Sequence, residues 1–199
     1  GRKAQQRFWP WRGRDQESYA FGDTEDFRRI LSLRYRLLPY LYSEFMKAAL
    51  KKDMLIRPLS FDFPTDPLTE KIEDQLMVGE SLMIAPIVYE GTEERMVYLP
   101  EPMTKVRYAA GQFIQEEMEK GLHRIYIPID QVVFFVRESK AAIAAKVPEG
   151  RFSAENSSSL DLSEVEFLGT GGVYEQYIDD GTSKFCSLNK IRTIYKEMR

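Results

Sequence analysis

The stretch HRIYIPI at residues 123–129 decides the fold class of the larger part of the chain, because apolar and polar side chains alternate along it. Ile125, Ile127 and Ile129 fall on one face of an extended backbone, and Arg124 and Tyr126 fall on the other. The same two-residue period predicts further strands at 95–99, 104–108, 132–137, 164–168, 173–178, 184–188 and 191–195. Short strands separated by turn residues indicate an antiparallel sandwich or barrel.

Before residue 91 the pattern is helical. From residue 24 to 52 the apolar residues recur at the spacing of an amphipathic helix, and Asp23 or Thr24 can accept hydrogen bonds from its first turn. Pro39 lies inside the pattern and predicts a kink or two abutting helices. A turn-rich loop is expected at 61–67, a short helix at about 69–77 and a buried strand at 81–86. The predicted class is therefore α+β, a helical N-terminal segment followed by an antiparallel β-sandwich.

Composition narrows the class of protein. The chain has 199 residues, 43% of them hydrophobic, with 28 Lys and Arg against 31 Asp and Glu. This length and polarity fit one large or two small globular domains. The balanced charge argues against a nucleic-acid partner. No apolar run approaches the ~20 residues of a membrane span, so we expect no membrane partner and a cytoplasmic location.

Few residues suggest chemistry by themselves. One histidine, His123, and one cysteine, Cys186, exclude an intrachain disulfide framework and every site that needs two of either residue. We predict that neither is catalytic and that Cys186 is a small buried hydrophobe. The DDG at 179–181 indicates a tight turn, since it lacks the alternating ligands of a calcium loop. These patterns predict no metal and no cofactor.

Two aspartates, Asp62 and Asp66, could in principle form a catalytic pair. A retaining glycosidase needs two carboxyl groups about 5–5.5 Å apart. Residues four apart in a proline-broken loop have no defined separation, so we expect solvated, turn-forming carboxylates here. Composition and spacing thus assign no catalytic, cofactor-binding or metal-binding residue.

Five strings carry a resemblance to a known family. They are LRYRLLPYLY at 33–42, RPL at 57–59 followed by PTD at 64–66, DQLMVG at 74–79 followed by LMIAP at 82–86, VYLP at 97–100, and YIDDG at 177–181. In this order and at this spacing they resemble glycoside hydrolase family 31, the α-glucosidase and α-xylosidase family. The matched strings lie within residues 13–185.

The resemblance implies a division of the chain. Residues 13–90 would be the C-terminal end of a (β/α)8 barrel, residues 91–185 a β-sandwich domain able to fold alone, and residues 186–199 a terminal strand or the start of a further β segment. Residues 1–12, basic and aromatic, are unmatched. The RDQE at 14–17 matches a family string, but the family's preceding histidine and both catalytic aspartates have no counterpart here.

The resemblance therefore implies a C-terminal fragment of a retaining α-glucosidase that supports the barrel and is inactive alone. An alternative is a stand-alone carbohydrate-binding sandwich, for which Tyr108, Phe113, Tyr126 and Tyr177 are the candidate rings. A third possibility is that residues 1–12 form an arm that docks a partner, which deletion of those residues would test.

The helix at 24–52 carries one expectation about partners. Without neighbouring barrel helices it would expose a large apolar patch, so we expect self-association through this helix. The patch consists of Leu31, Leu37, Leu38, Leu41 and Phe45. The opposite face is expected to be exposed to solvent because it carries the charged residues Arg28, Arg29, Arg36 and Lys47.

Overall fold

A computed structural model describes residues 24–89, 91–128, 130–146, 164–178 and 191–196. The chain begins with helix α1 (Thr24–Lys51), strand β1 (Ile56–Pro58), the single-turn helix α2 (Leu59–Asp62) and a 3₁₀ turn (Thr69–Lys71). The remaining strands are β2 (Leu76–Val78), β3 (Leu82–Ile84), β4 (Glu94–Leu99), β5 (Met103–Ala109), β6 (Gln112–Met118), β7 (Gly121–Tyr126), β8 (Val132–Arg137), β9 (Ala142–Ala145), β10 (Val165–Leu168), β11 (Val173–Tyr177) and β12 (Ile191–Tyr195). A helix followed by antiparallel strands confirms the predicted α+β class.

The central layer is a six-stranded sheet in the order β1-β2-β3-β8-β5-β6, with every neighbouring pair antiparallel. The pair β4–β7 packs on one face of this sheet. The pairs β9–β10 and β11–β12, together with α1, pack on the other face. The result is a β-sandwich with a helix added to one side.

Strand β8 joins two hydrophobic cores. Its side chains alternate between the faces, so Phe134 and Val136 enter a first core on the helix side, while Val133 and Phe135 enter a second core under β4–β7. A strand buried on both faces carries a continuous apolar run, and VVFFV is such a run. Phe135 is fully buried.

Helix α1 lies on the first core rather than free in solvent. Leu33 and Tyr40 are buried there, and Leu37 and Leu41 pack against the same core. The expectation that Leu37 and Leu41 would be exposed is therefore wrong. The helix contacts β9 and β11, whose formation supplies the internal partner.

Pro39 does not divide the helix. Residues 24–51 form one continuous helix, so the alternative of two abutting helices is wrong. A proline in a helix interior removes one amide donor, at a cost of about 3 kcal/mol. Burial of Leu33 on one side of the proline and Tyr40 on the other offsets that cost.

Two predictions about residues 56–90 require correction. The helix predicted at 69–77 is a 3₁₀ turn followed by β2, because pairing with both β1 and β3 overrides the local helical pattern. The sandwich does not begin at residue 91, because β1, β2 and β3 belong to the central sheet and β3 pairs directly with β8.

In addition to β1 and β2, the strands β6 and β9 were not predicted from the sequence. Strand β6 carries mostly polar residues because it is the exposed edge of the sheet, and only its hairpin with β5 defines it. Ala110 and Gly111, both with positive φ (48° and 79°), form the two-residue turn of that hairpin. Strand β9 is the alanine-rich AIAA, fully buried beneath α1.

Some predictions fall outside the described residues. They concern residues 1–12, the string at 14–17, the turn at 179–181, the strand at 184–188 and Cys186. Among the helices that the structure describes, none combines the length and apolar character needed to cross a membrane.

We predict that a truncated chain of residues 91–185 does not fold cooperatively. It lacks β1–β3, so β8 would lose one hydrogen-bonded neighbour and the second core would lose Met77 and Met83, both fully buried. A chain of residues 24–199 is the matched control and should melt cooperatively by circular dichroism. A cooperative melt with dispersed amide signals from residues 91–185 would contradict this prediction.

Candidate functional site

The carboxylate of Asp62 forms ion pairs with two arginines. Arg57 binds it in a two-pronged arrangement, with Nε 2.8 Å from Oδ2 and Nη2 2.9 Å from Oδ1. Arg137 Nη1 lies 3.5 Å from Oδ1 of the same carboxylate. The Asp62 side chain is only 12% exposed, so the expectation of a solvated carboxylate is wrong. Paired arginines hold it as an acceptor and leave it no catalytic partner among these contacts.

Asp66 has a separate set of partners. Its Oδ2 accepts a hydrogen bond from Tyr98 Oη at 2.6 Å and lies 3.0 Å from Lys120 Nζ, while Oδ1 accepts from the Leu68 amide. The bond from Tyr98, followed by that from Lys120, holds the pKa of Asp66 below its usual range. Asp66 thus ties the loop after α2 to β4 and to the turn before β7.

Gln75 joins the same loop region to β4 by a reciprocal pair of bonds. Its Nε2 donates to the Tyr98 carbonyl at 2.7 Å, and the Tyr98 amide donates to its Oε1 at 2.9 Å. The side chain is buried, so this pairing satisfies polar groups that water does not reach. The glutamine of the DQLMVG string is therefore a structural link.

Arg36, from the LRYRLLPYLY string, connects α1 to the sandwich. It forms an ion pair with Glu166 of β10 and donates to the carbonyl groups of Ala145 and Gly111. Its guanidinium also lies 4.3 Å from the ring centre of Phe113, a cation–π geometry. The expectation that Arg36 keeps an outer helix face wet is wrong, because its side chain is 11% exposed and faces the strands.

Glu44 is the centre of a buried polar group that we call the Glu44 cluster, formed with the side chains of Lys47 and Tyr174 and the backbone amide of Glu80. Its Oε1 accepts from Tyr174 Oη at 2.7 Å and from Lys47 Nζ at 2.8 Å. Its Oε2 accepts from the Glu80 amide at 2.9 Å. A buried carboxylate requires such compensation. Lys47 is also largely buried, so the expectation that it stays wet is wrong.

Tyr40 and Ser43 extend this junction along the helix. Tyr40 Oη donates to the Val78 carbonyl at 2.7 Å and accepts from the amides of Ser81 and Leu82. Burial, then the charge of Glu44, raises the pKa of Tyr40 far above its usual value, so it remains a neutral donor. Ser43 Oγ donates to the Pro39 carbonyl and accepts from the Tyr177 amide at 2.9 Å.

No catalytic constellation is assembled by these contacts. His123 lies on β7, where Nε2 is 2.7 Å from the Glu119 carbonyl. Within the described ranges, no group of three or more His, Cys, Asp and Glu side chains could hold a metal ion. The residues of the family strings described above therefore have a structural role, because each one joins one element of the fold to another.

Sequence reasoning missed the Glu44 cluster. Glu44 follows LRYRLLPYLY in the same helix, and its partner Tyr174 is 130 residues away. One local signal existed, because Glu44 falls four residues after Tyr40, on the face that Leu33 and Tyr40 bury. An acidic residue in a buried stripe indicates a specific partner, although it does not reveal which one.

We predict that Asp66 contributes stability at neutral pH that acid removes. Because its pKa is lowered in the folded protein, the contribution is present above about pH 4, the usual carboxyl pKa, and is lost as pH falls through the lower folded value. Asp66→Asn should therefore be less stable than the parent at pH 7, with the difference shrinking below about pH 4. Urea unfolding at several pH values measures this.

Glu70→Gln is the matched control, because Glu70 is an exposed carboxylate on the adjacent 3₁₀ turn. If the difference in unfolding free energy between the parent and the Asp66→Asn variant stays constant from pH 7 to pH 3, the carboxylate charge contributes nothing.

We further predict that Gly79→Ala destabilises the protein by about 3 kcal/mol. Gly79 has φ of +66°, and a Cβ there would lie 2.4 Å from the Glu44 side chain, so backbone strain adds to disruption of buried hydrogen bonds. Gly111→Ala is the matched control. Its φ is +79° with open space around the added carbon, so only about 1 kcal/mol of strain is expected. Equal losses in the two variants, measured by urea unfolding, would contradict the role of Glu44.

Comparison with known proteins agrees with this architecture. Residues 52–141 match the model of the glycosyl hydrolase family 31 C-terminal domain. The human protein named "Probable maltase-glucoamylase 2" is 32% identical over 92% of this chain, which covers 7% of that protein. An α-glucosidase of Saccharolobus solfataricus is 34% identical over 78% of this chain and 24% of its own length.

Solved structures show the same fold. The family 31 dextranase of Flavobacterium johnsoniae, complexed with isomaltotriose, aligns over 85% of this chain and 21% of its own, with a TM-score of 0.66 at 24% identity. This chain spans less than a quarter of the length of each of these three relatives. The order of motifs, the sandwich and the matches agree that the chain belongs to glycoside hydrolase family 31 and corresponds to the C-terminal part of its members.

Proposed function

We propose that this chain is the C-terminal part of a retaining α-glucosidase, in which α1 closes the catalytic barrel and the sandwich supports it. The observation that carries the proposal is that the apolar surface of α1 is wider than the part that packs on the sandwich. One face packs on the first core of the sandwich, through Leu33 and Tyr40. An apolar surface that extends beyond one partner requires a second partner beside it.

The uncovered part is formed by Leu31, Leu38 and Phe45, which lie beside the packed face and which we call the outer stripe. These residues are spaced by seven, so they return to the same side of the helix every two turns. Leu31 and Leu38 are half-buried and lie outside both cores of the described chain, and Phe45 is 54% exposed. The proposed occupant of this face is the remainder of the barrel.

The proposed roles of the barrel and of this chain follow from the chemistry of retaining hydrolysis. Retaining hydrolysis needs one carboxylate as nucleophile and a second as acid and base, on opposite sides of the glycosidic bond. Asp62, Asp66 and Glu44 are each held by cations or hydroxyl groups of this chain. The reacting carboxylates would come from the barrel, and this part would hold that barrel closed.

We predict that this chain alone does not hydrolyse a chromogenic α-glucoside. Loss of either carboxylate of a retaining pair removes most of the rate, and both are assigned here to the barrel. The assay is release of 4-nitrophenol from its α-glucoside, with a family 31 α-glucosidase as positive control. Turnover by the pure chain that disappears on changing one of its own Asp or Glu residues would contradict the proposal.

We also predict that the isolated chain self-associates through the outer stripe, because the barrel is not there to cover it. Sedimentation at micromolar concentration should detect species larger than a monomer. Leu38→Glu with Phe45→Glu should shift the chain to monomer. Leu50→Glu is the matched control, since Leu50 is an exposed apolar residue of the same helix that lies off the stripe. If the unsubstituted chain sediments as a monomer, the outer stripe is stable in contact with solvent and the prediction is wrong.

The most direct test of the proposed parentage is the reading frame upstream of the codon for Gly1. The proposal requires that it encode barrel strands carrying both catalytic aspartates. An upstream frame without them would instead favour a module that acts without the barrel.

A further inference from the structure

The aromatic rings considered for a carbohydrate-binding face do not share one surface. Tyr108 and Tyr177 are buried, and Phe113 packs against the first core. Tyr126 alternates with the buried Ile125 along β7, so it points outward from the pair β4–β7. These four rings therefore form no platform for a sugar. Polar groups without partners indicate a different kind of site, at one end of the central sheet.

A pocket of about 130 Å³ lies where β5 begins and β6 ends. Its lining includes three glutamates, Glu117, Glu119 and Glu138, and two threonines, Thr104 and Thr170. No lysine, arginine or histidine is among the described residues that line it. The pocket is therefore rich in oxygen atoms and carries net negative charge.

The strand register places several of these side chains on one face of the sheet. Thr104 of β5 lies opposite Glu117 of β6 and opposite Val136 of β8. The Glu138 amide donates to the Pro102 carbonyl at 3.2 Å, so the ladder continues one pair beyond the end of β8. Side chains directly opposite each other share a face, and so do those two residues apart along a strand. Thr104, Glu117 and Glu138 therefore lie on the face that Val136 presents to the first core.

The turn after β10 covers this face. Gly169 packs so closely on Val136 that an added Cβ would lie 2.5 Å from Val136 Cγ1. The next residue, Thr170, accepts a hydrogen bond from the Ser139 amide through Oγ1 at 3.1 Å. Lys196 also approaches the turn, but its Nζ donates to the Gly169 carbonyl at 3.2 Å. The pocket is therefore enclosed between the sheet and this turn.

Thr104 brings a buried hydroxyl group to the pocket. The residue is only 4% exposed, and its Oγ1 has no hydrogen-bond partner within the described part of the chain. Buried polar side chains are nearly always paired, because an unpaired hydroxyl loses its bonds to water on folding. The side chain of Thr104 lies on the face that the pocket covers and lines it. A group bound in the pocket would supply the missing partner.

The carboxylates around this hydroxyl are also without partners. Within the described ranges, the side chains of Glu117, Glu119 and Glu138 form no ion pair and no hydrogen bond. Neighbouring negative charges raise each other's energy, and a cation between them removes that cost. The ligand that fits the pocket is therefore positively charged and bound by oxygen atoms.

We propose that this pocket binds a calcium ion, with the carboxylates of Glu117 and Glu138 and the hydroxyl of Thr104 as its protein ligands. Glu117 and Glu138 approach Thr104 from the strands on either side of it. Calcium prefers hard oxygen ligands and accepts six to eight of them in irregular geometry. Magnesium requires a near-ideal octahedron, and zinc favours nitrogen and sulfur.

Water would complete the coordination. No three carboxylates in the described chain meet closely enough to hold a metal ion by themselves, so the ion would take two of them and keep several water molecules. The pocket has room for these, since a water molecule takes up about 30 Å³ of liquid. The ion would join β5, β6 and the end of β8 and stabilise the folded chain by mass action.

The test is titration of the ¹⁵N-labelled chain with calcium chloride after EDTA treatment, followed by amide shifts and calorimetry. Signals at positions 104, 117 and 138 should shift together and saturate, with Kd of about 1 mM, as expected for a site with few carboxylates. Glu117→Gln and Glu138→Gln should each weaken binding about tenfold or more. Glu73→Gln is the matched control, because Glu73 is an exposed carboxylate outside the pocket. It should leave the affinity unchanged.

Thr104→Val separates a metal ligand from a residue that only packs, because valine keeps the shape and removes the hydroxyl. Without calcium, the variant should be at least as stable as the parent in urea, since an unpaired buried hydroxyl is gone. Its affinity for calcium should fall about fivefold, the effect of one neutral bond. A variant that is less stable without calcium and binds calcium as the parent does would overturn the proposal, because the hydroxyl would then be held by a structural water.

Two further outcomes would overturn it. One is the absence of saturable shifts up to tens of millimolar calcium while the amide spectrum remains dispersed. The other is an equal response to magnesium, which would indicate unselective screening of the glutamates. The proposal rests on the pocket alone, and none of these outcomes bears on the upstream reading frame or the outer stripe, so the proposed function stands or falls separately.

Discussion

The fold depends on β8, the strand whose two faces belong to different hydrophobic cores. Phe134 and Val136 pack beneath α1, while Val133 and Phe135 pack beneath β4–β7. Burial of apolar area at about 25 cal/mol per Å² makes such a strand costly to expose on either side. Because β8 also pairs with both β3 and β5, it couples residues before position 91 to the sandwich after it.

Charged and polar residues attach the surrounding elements to that framework. Arg36 and the Glu44 cluster attach α1 to strands late in the chain, and Asp62, Asp66 and Gln75 attach the loop after α2 to β4 and its neighbours. Each of these interactions is short and partly or fully buried. At such a site, removing one partner destabilises the folded protein by more than the intact pair stabilises it. The strings that resemble family 31 contain residue types that can be catalytic in other proteins. In this part of the fold, however, they are not arranged as a catalytic site. The arginines and carboxylates of these strings work as connectors.

Helix α1 shows how one element can serve two neighbours. Its inner face is occupied by the sandwich, and its outer stripe remains for a second partner. Pro39 is tolerated in the middle because Leu33 before it and Tyr40 after it are buried in the first core.

The sequence by itself determined the elements whose pattern is local. The period of the helix at 24–51, the alternation along β4, β5 and β7 and the apolar run of β8 follow from which side chains must be buried, and the ordered strings indicated the family. Tertiary structure alone decided the rest. The AIAA of β9 and the polar β6 have weak strand patterns and exist because neighbours cover or pair with them, and residues 76–78 became a strand because two strands flank them. The same holds for the polar groups, since the partners of Glu44, Arg36 and Asp66 lie up to 130 residues away, and no local spacing encodes which distant group a buried charge will meet.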